Sequence, residues 1–206
     1  MSPVHRIAGV AGLAWLLIGS GGYRTSEAQD AGVEGRPDMV RVDVKSVWKS
    51  PDPSLNAGCV FLKDRKTQRL LPVWIGRFEA DAIHMKLNGE TFPRPLTHDL
   101  LKTILKIMNG ELDMVVIDSI QDSTYYATLF VRDKEGQVHE VDARPSDSIA
   151  MALRMGSPIY VADEVFEASA IDLPEGEEGQ NPAERQKFQS FVDGQMHISD
   201  FKRFIR

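Results

Sequence analysis

Cysteine is almost absent from this chain: the one thiol in 206 residues is Cys59. A single thiol cannot close an intrachain disulfide, and it cannot supply a zinc ribbon or a CxxC redox pair, so the chain must fold on its hydrophobic core. Long apolar runs are equally scarce. Residues 7–18 hold twelve uncharged, mostly apolar residues behind His5 and Arg6, and the uncharged stretch ends at Tyr23. That is too short for the ~20 residues of a spanning helix and right for the ~7–15 of an export-signal core. No phosphate-cradling GxxxxGK[ST], no GxGxxG, no HExxH and no GxSxG occurs, which excludes P-loop, dinucleotide-binding, zincin and nucleophile-elbow chemistry. Excess positive charge is missing too: the net charge is -6, against a basic coat as the route to nucleic acid.

What is present is unevenly spread. Residues 163–206 carry 10 acidic and 5 basic residues, leaving 20 acidic and 19 basic in residues 1–162, so the body is close to neutral and leaves room for a local phosphate site. Ser26-Glu27-Ala28 places small residues where a signal peptidase needs them, and a mature chain starting near Gln29 is expected in an exported compartment, periplasmic or secreted. The absence of a cysteine after the apolar run excludes a lipoprotein anchor. The alternatives are an uncleaved membrane anchor and translation from Met39, which would keep the protein cytoplasmic. The expected organisation is therefore a signal or anchor at 1–28, a linker at 29–38, a domain at 39–173, and an acidic linker with an amphipathic C-terminal helix at 174–206. No stable membrane insertion of the mature chain is expected; self-association is left open.

Within the domain, Val40, Val42 and Val44 alternate with charged residues, the period of a half-buried strand. Residues 58–63 and 70–75 predict two more strands, the second apolar enough to be central. Ala80, Ile83 and Leu87 predict a helix that opens at Gly76 and ends at Asn88-Gly89. Thr97 predicts the N-cap of a second helix whose buried face is Leu101, Ile104, Leu105 and Met108. Residues 113–120, 125–132 and 137–142, joined by short polar turns, predict an antiparallel meander. Pro145 or Ser146 starts a third helix through Met155, stopped by Gly156 and Pro158, before a short strand at 159–161. The fold class is α+β: one domain, a mixed sheet with helices packed mainly on one face.

Polar residues gather at element ends. Thr97, His98 and Asp99 open the second helix behind Arg94, with Lys102 on the His98 side. A helix N-terminus disfavours imidazolium and offers N–H groups to phosphate, so this cluster reads either as a base with an anion site or as local capping. Asp142, Arg144, Ser146 and Asp147 sit at a strand-to-helix junction. Two carboxylates there suit Mg²⁺ or Mn²⁺; an ion pair beside a helix cap accounts for them as well. Glu79, Asp81 and His84 form a third group on the first helix. His139 and His197 read as structural.

The segments LPVWIGRFEADAI, RPLTHDLLKTIL and VDARPSDSIAMALRMGSPIYV, running from residue 71 to 168, resemble the bifunctional nuclease domain family. That resemblance implies a nuclease acting on DNA and RNA. It also places the family's polar positions at Glu79, at Thr97, His98 and Asp99, and at Asp142, Arg144, Ser146 and Asp147, the element-end clusters already found. The expected site has His98, Asp99, Arg144 and Glu79 as catalytic residues, Arg94, Thr97, Lys102 and Ser146 contacting nucleic acid, and Asp142 with Asp147 holding a divalent Mg or Mn ion. The competing class is a binding or regulatory module that uses the same pocket for an anion or a partner protein without turnover.

Overall fold

The computed structural model describes residues 38–172 apart from 53, 68 and 123, together with positions 186, 190 and 194. The expected signal segment, the linker before Asp38 and nearly all of the acidic C-terminal segment lie outside the described residues.

Among the described residues eight strands form one mixed sheet: β1 (Met39–Lys49), β2 (Gly58–Asp64), β3 (Arg69–Ile75), β4 (Glu111–Gln121), β5 (Thr124–Arg132), β6 (Val138–Ala143), β7 (Ile159–Ala162) and β8 (Ile171–Asp172). Their spatial order is β6-β5-β4-β7-β1-β2-β3-β8. The meander β4-β5-β6 is antiparallel, as its short turns predicted, and so is β1-β2-β3. The two halves are joined by β7, which runs parallel to β4 and antiparallel to β1. Register makes that junction apolar: Ile159 lies between Val115 and Val42, and Val161 between Ile117 and Val40. Strand β3 is not central; it is next to last, beside the two-residue β8. Its apolar character comes from burial on both faces, Leu71 and Val73 in the main core and Leu70 in a smaller cluster with Trp48, Cys59 and Phe61. The Tyr125 hydroxyl reaches the Pro72 carbonyl at 3.5 Å, so the sheet curls until β5 approaches β3.

Within residues 38–172 four helices are described: α1 (Arg77–Leu87), α2 (Thr97–Ile107), α3 (Pro145–Met155) and α4 (Asp163–Ser169). Alanines at Ala80, Ala150 and Ala152 and branched residues at Ile83 and Ile149 place α1 and α3 on the sheet, and Val165 and Phe166 of α4 join the same core. Gly58 permits the close approach of β2 to α1, since a Cβ there would lie 2.6 Å from the Ala80 Cβ. The stop signals behave as residue chemistry requires: Gly156 ends α3 with φ 76, and Asn109 takes φ 55 just after α2. Two expectations differ for α2. Its N-cap is Leu96, with Thr97 the first helical residue, and of the face expected to be buried Leu101, Ile104 and Met108 are exposed while Leu105 packs against the core. Helix α2 lies against α3, where His98 is the buried residue. No described helix is long and apolar enough to cross a membrane.

Candidate active site

Three helices begin on the same side of the molecule, and each has a carboxylate at its third helical position: Glu79 in α1, Asp99 in α2 and Asp147 in α3. Acidic side chains belong there because they offset the positive end of the helix dipole. Around two of them the structure assembles a cluster that no single element contains.

Its centre is Arg144, the N-cap of α3 with extended backbone (φ -67, ψ 145). Its Nε donates to Asp147 Oδ2 at 2.7 Å, its Nη2 to Asp147 Oδ1 at 3.2 Å and its Nη1 to Glu79 Oε1 at 3.0 Å. The guanidinium thus bridges the first turns of α3 and α1 while its side chain stays 65% exposed. His98, 9% exposed, meets the Asp147 pair from behind, Nε2 to Oδ1 at 3.2 Å. Burial pushes the Asp147 carboxyl up, but hydrogen bonds from Arg144 and His98 and their charges outweigh it, holding the group below the usual carboxylate range. The hydrogen bonds to Asp147 in turn raise Arg144 further above its ordinary value, against a smaller opposing effect of burial.

A cleft of about 180 Å³ opens beside this cluster, lined by Trp74, Glu79, Tyr125, Arg144 and Ser146 among others. Gly76 leaves room for it, because a side chain there would run into the Glu79 carboxylate. The Asn56 side chain accepts from the Arg77 N–H at 3.1 Å and so caps α1 from the loop before β2.

The remaining expected residues fall elsewhere. Asp99 accepts from the Leu96 N–H at 3.1 Å and from Arg154 Nε at 2.8 Å, two helical turns along α3 from Asp147. Burial raises its carboxyl, and these bonds with the Arg154 charge more than reverse the effect. Lys102 donates to the Arg154 carbonyl at 2.7 Å; burial, then Lys106 and Lys86, lower its ammonium. Arg94 and Thr97 are exposed, and Ser146 is buried inside α3 while lining the cleft. Asp142 lies exposed on β6 opposite Thr128, outside the Arg144 hydrogen-bond cluster. Asp81 pairs with Lys49, and the His84 ring meets Asn88 at 2.9 Å. His139 pairs with Asp133 in the β5-β6 turn.

Arg154 is the residue that the sequence pattern did not single out. Its side chain is 3% exposed, and it ties Asp99 of α2 and the Ala82 carbonyl of α1 to α3. An arginine between Ala150-Met151-Ala152-Leu153 and Met155 was the available signal, a charge on a face that must be buried.

The same carboxylates decide the fit of a divalent ion. Both Asp147 oxygens and Glu79 Oε1 are taken by Arg144, so an ion seated on them would have to displace a guanidinium. Among the described residues no three His, Cys, Asp or Glu side chains converge as a ligand set. The donor set present does not fit Mg²⁺ or Mn²⁺.

The family model of the bifunctional nuclease domain matches residues 60–174. An uncharacterized protein of Mycobacterium tuberculosis, found in strains CDC 1551 / Oshkosh and ATCC 25618 / H37Rv, is 39% identical over 165 residues, covering 78% of this chain and 98% of the relative. The matched residues contain every member of the Arg144 cluster.

Proposed function

Since the chain belongs to the bifunctional nuclease domain family, we propose that it hydrolyses phosphodiester bonds of DNA or RNA in the cleft beside Arg144. The observation that carries this reading is an exposed guanidinium held between two helix N-termini by Glu79 and Asp147, at the mouth of a cleft. A planar guanidinium takes two phosphate oxygens at once, and N–H groups at the start of α3 favour the same charge. As the phosphate takes over donors of Arg144, Glu79 is released from its pair and becomes the carboxylate that removes a proton from the attacking water. Arg144 then offsets charge that builds on the phosphorane, which collapses by breaking the P–O bond to one sugar oxygen; that oxygen leaves as the hydroxyl, taking its proton from solvent water, and the other product keeps the phosphate. Asp147, backed by His98, keeps the guanidinium aimed; His98 is a positioning residue here, because it is buried against Asp147. No step is routed through a metal ion.

The test is cleavage of single- and double-stranded DNA and RNA by the purified chain, with and without chelator and with added Mg²⁺ or Mn²⁺, beside Arg144→Ala and Glu79→Gln. Rates should fall about 10²–10⁴-fold in Glu79→Gln, the usual contribution of a general base. Wild-type rates in both variants would reject the site. Abolition by chelator, with recovery on adding metal, would reject the metal-free step. A second reading, an anion-binding module without turnover, is favoured by the ion pair that holds Glu79 Oε1 on Arg144 at rest. It gives oligonucleotide binding that Arg144→Ala abolishes, and no cleavage by folded wild type.

A further inference from the structure

Helix α2 presents its apolar stripe outward. Ile107 is 74% exposed, Met108 66%, Leu100 51%, and Leu101 and Ile104 45% each. Leu87 at the end of α1 and Phe92 in the loop that follows are exposed as well. Helix formation does not call for this, because lysine or glutamate at these positions would serve an exposed helix as well. Scattered apolar residues on a surface need no explanation, but a contiguous group on one helix face marks an interaction.

We propose that this face is the contact between two copies of the chain, packed about a twofold axis with the two α2 helices side by side and antiparallel. Area favours a second copy. The seven side chains present on the order of 600 Å² per protomer, so patch on patch buries about 1,200 Å², where stable specific interfaces begin. A patch meeting itself covers both copies at once, as an isologous interface requires. An antiparallel arrangement also opposes the dipoles of the two helices. A lipid surface is the other chemistry an amphipathic helix serves, but it calls for a basic rim. Lys102 is tied to the Arg154 carbonyl, and the exposed Lys86, Arg94 and Lys106 around the patch stand with the exposed Glu90, short of the dense basic face such helices carry. The contact needs no particular activity at the Arg144 cluster. It would brace the helix whose first turn supplies His98.

Sedimentation velocity of the full chain across the micromolar range should show twice the mass of one chain. Ile104→Glu with Ile107→Glu should raise the dimer Kd about 100-fold or more, because truncating or charging central contacts removes most of an interface's affinity. Far-UV circular dichroism should stay unchanged, as both positions are exposed. Cys59, the natural thiol, is buried, so Ile104→Cys adds a thiol at the patch. Mild oxidation should yield a disulfide-linked dimer, while Val141→Cys, exposed on β6, should not. A wild type that stays monomeric, a dimer indifferent to the double substitution, or a monomer drawn to anionic phosphatidylglycerol vesicles through this face would each overturn the proposal.

Discussion

Removing Asp99 should destabilise the protein more than removing its partner Arg154, although each change deletes the same ion pair. Arg154 is 3% exposed on its side chain and Asp99 40%. Asp99→Ala leaves the guanidinium charge without a counter-ion in a dry setting, and breaking a buried pair from that side costs about 3–5 kcal/mol. It also deletes the bond to the Leu96 N–H that caps α2, about another 1 kcal/mol. Arg154→Met leaves the opposite residue. Asp99 keeps the Leu96 bond and reaches water, while the Ala150 and Ala82 carbonyls that Arg154 touched stand inside helices and retain their helical donors. A thioether chain of similar length refills the site, so about 1–2 kcal/mol is expected. For a domain of this size a loss of 1 kcal/mol lowers Tm by about 2–4 °C. Thermal melts should therefore fall by roughly 10 °C or more for Asp99→Ala and by about 5 °C for Arg154→Met. The double variant should resemble Arg154→Met with the cap lost, rather than the sum of the two, because neighbours in one network are not additive. An Arg154→Met protein that melts as low as Asp99→Ala would refute the reasoning, since the cost would then lie in packing and not in a stranded charge.

Acid should act through Asp147 and Asp99, whose carboxyls are held below the usual range. A depressed folded pKa stabilises above the unfolded value near 3.9 and is lost as pH falls through the folded one, so urea midpoints should be flat from about pH 7 to 5 and fall below about pH 4, less steeply in Asp147→Asn. An equally steep fall in that variant would remove Asp147 from the account. Gly58→Ala should cost about 1–3 kcal/mol, because its Cβ meets Ala80 at 2.6 Å, and differential scanning calorimetry reads it directly. Gly156→Ala should cost about 1 kcal/mol from the left-handed backbone alone, as nothing crowds a Cβ there; a neutral result in the same calorimeter would contradict φ 76. Cys59 is fully buried and its thiol is pushed far up by that burial, so Ellman's reagent should find no reactive thiol in native protein and one per chain in guanidinium; prompt native labelling would deny the burial.

Alternation and turn chemistry made the strands and three of the helices legible, because those signals are local: the valines of β1, the polar turns of the meander and the Gly156 stop each act within a few residues. What the sequence hid was long-range. The centrality of β3 could not be judged from its own apolarity, since an outer strand buried on both faces looks the same as an inner one. The stripe of α2 was read as core because periodicity reports amphipathicity and not what lies opposite. Helix α4 and the two-residue β8 are too short for any period to show. At the site, Glu79, His98, Arg144 and Asp147 are linked by hydrogen bonds through Arg144 and Asp147, but the partners of Asp99 could not be foreseen. Its pairing with Arg154 depends on how α2 crosses α3, and no spacing within either helix encodes that crossing.

The position of β7 has a consequence for how the chain assembles. Strand β7 is the seam between the two halves of the sheet, yet it is made of Ile159–Ala162, near the end of the domain. Until those four residues leave the ribosome, β1 and β4 each keep an open edge lined with Val40, Val42, Val115 and Ile117, and two separate antiparallel sub-sheets wait to be joined. Each can form early from neighbouring residues, whereas their union spans more than a hundred residues and must be the slow step. The interval between synthesis of β4 and synthesis of β7 is therefore when this protein is most exposed to edge-to-edge association with another nascent copy.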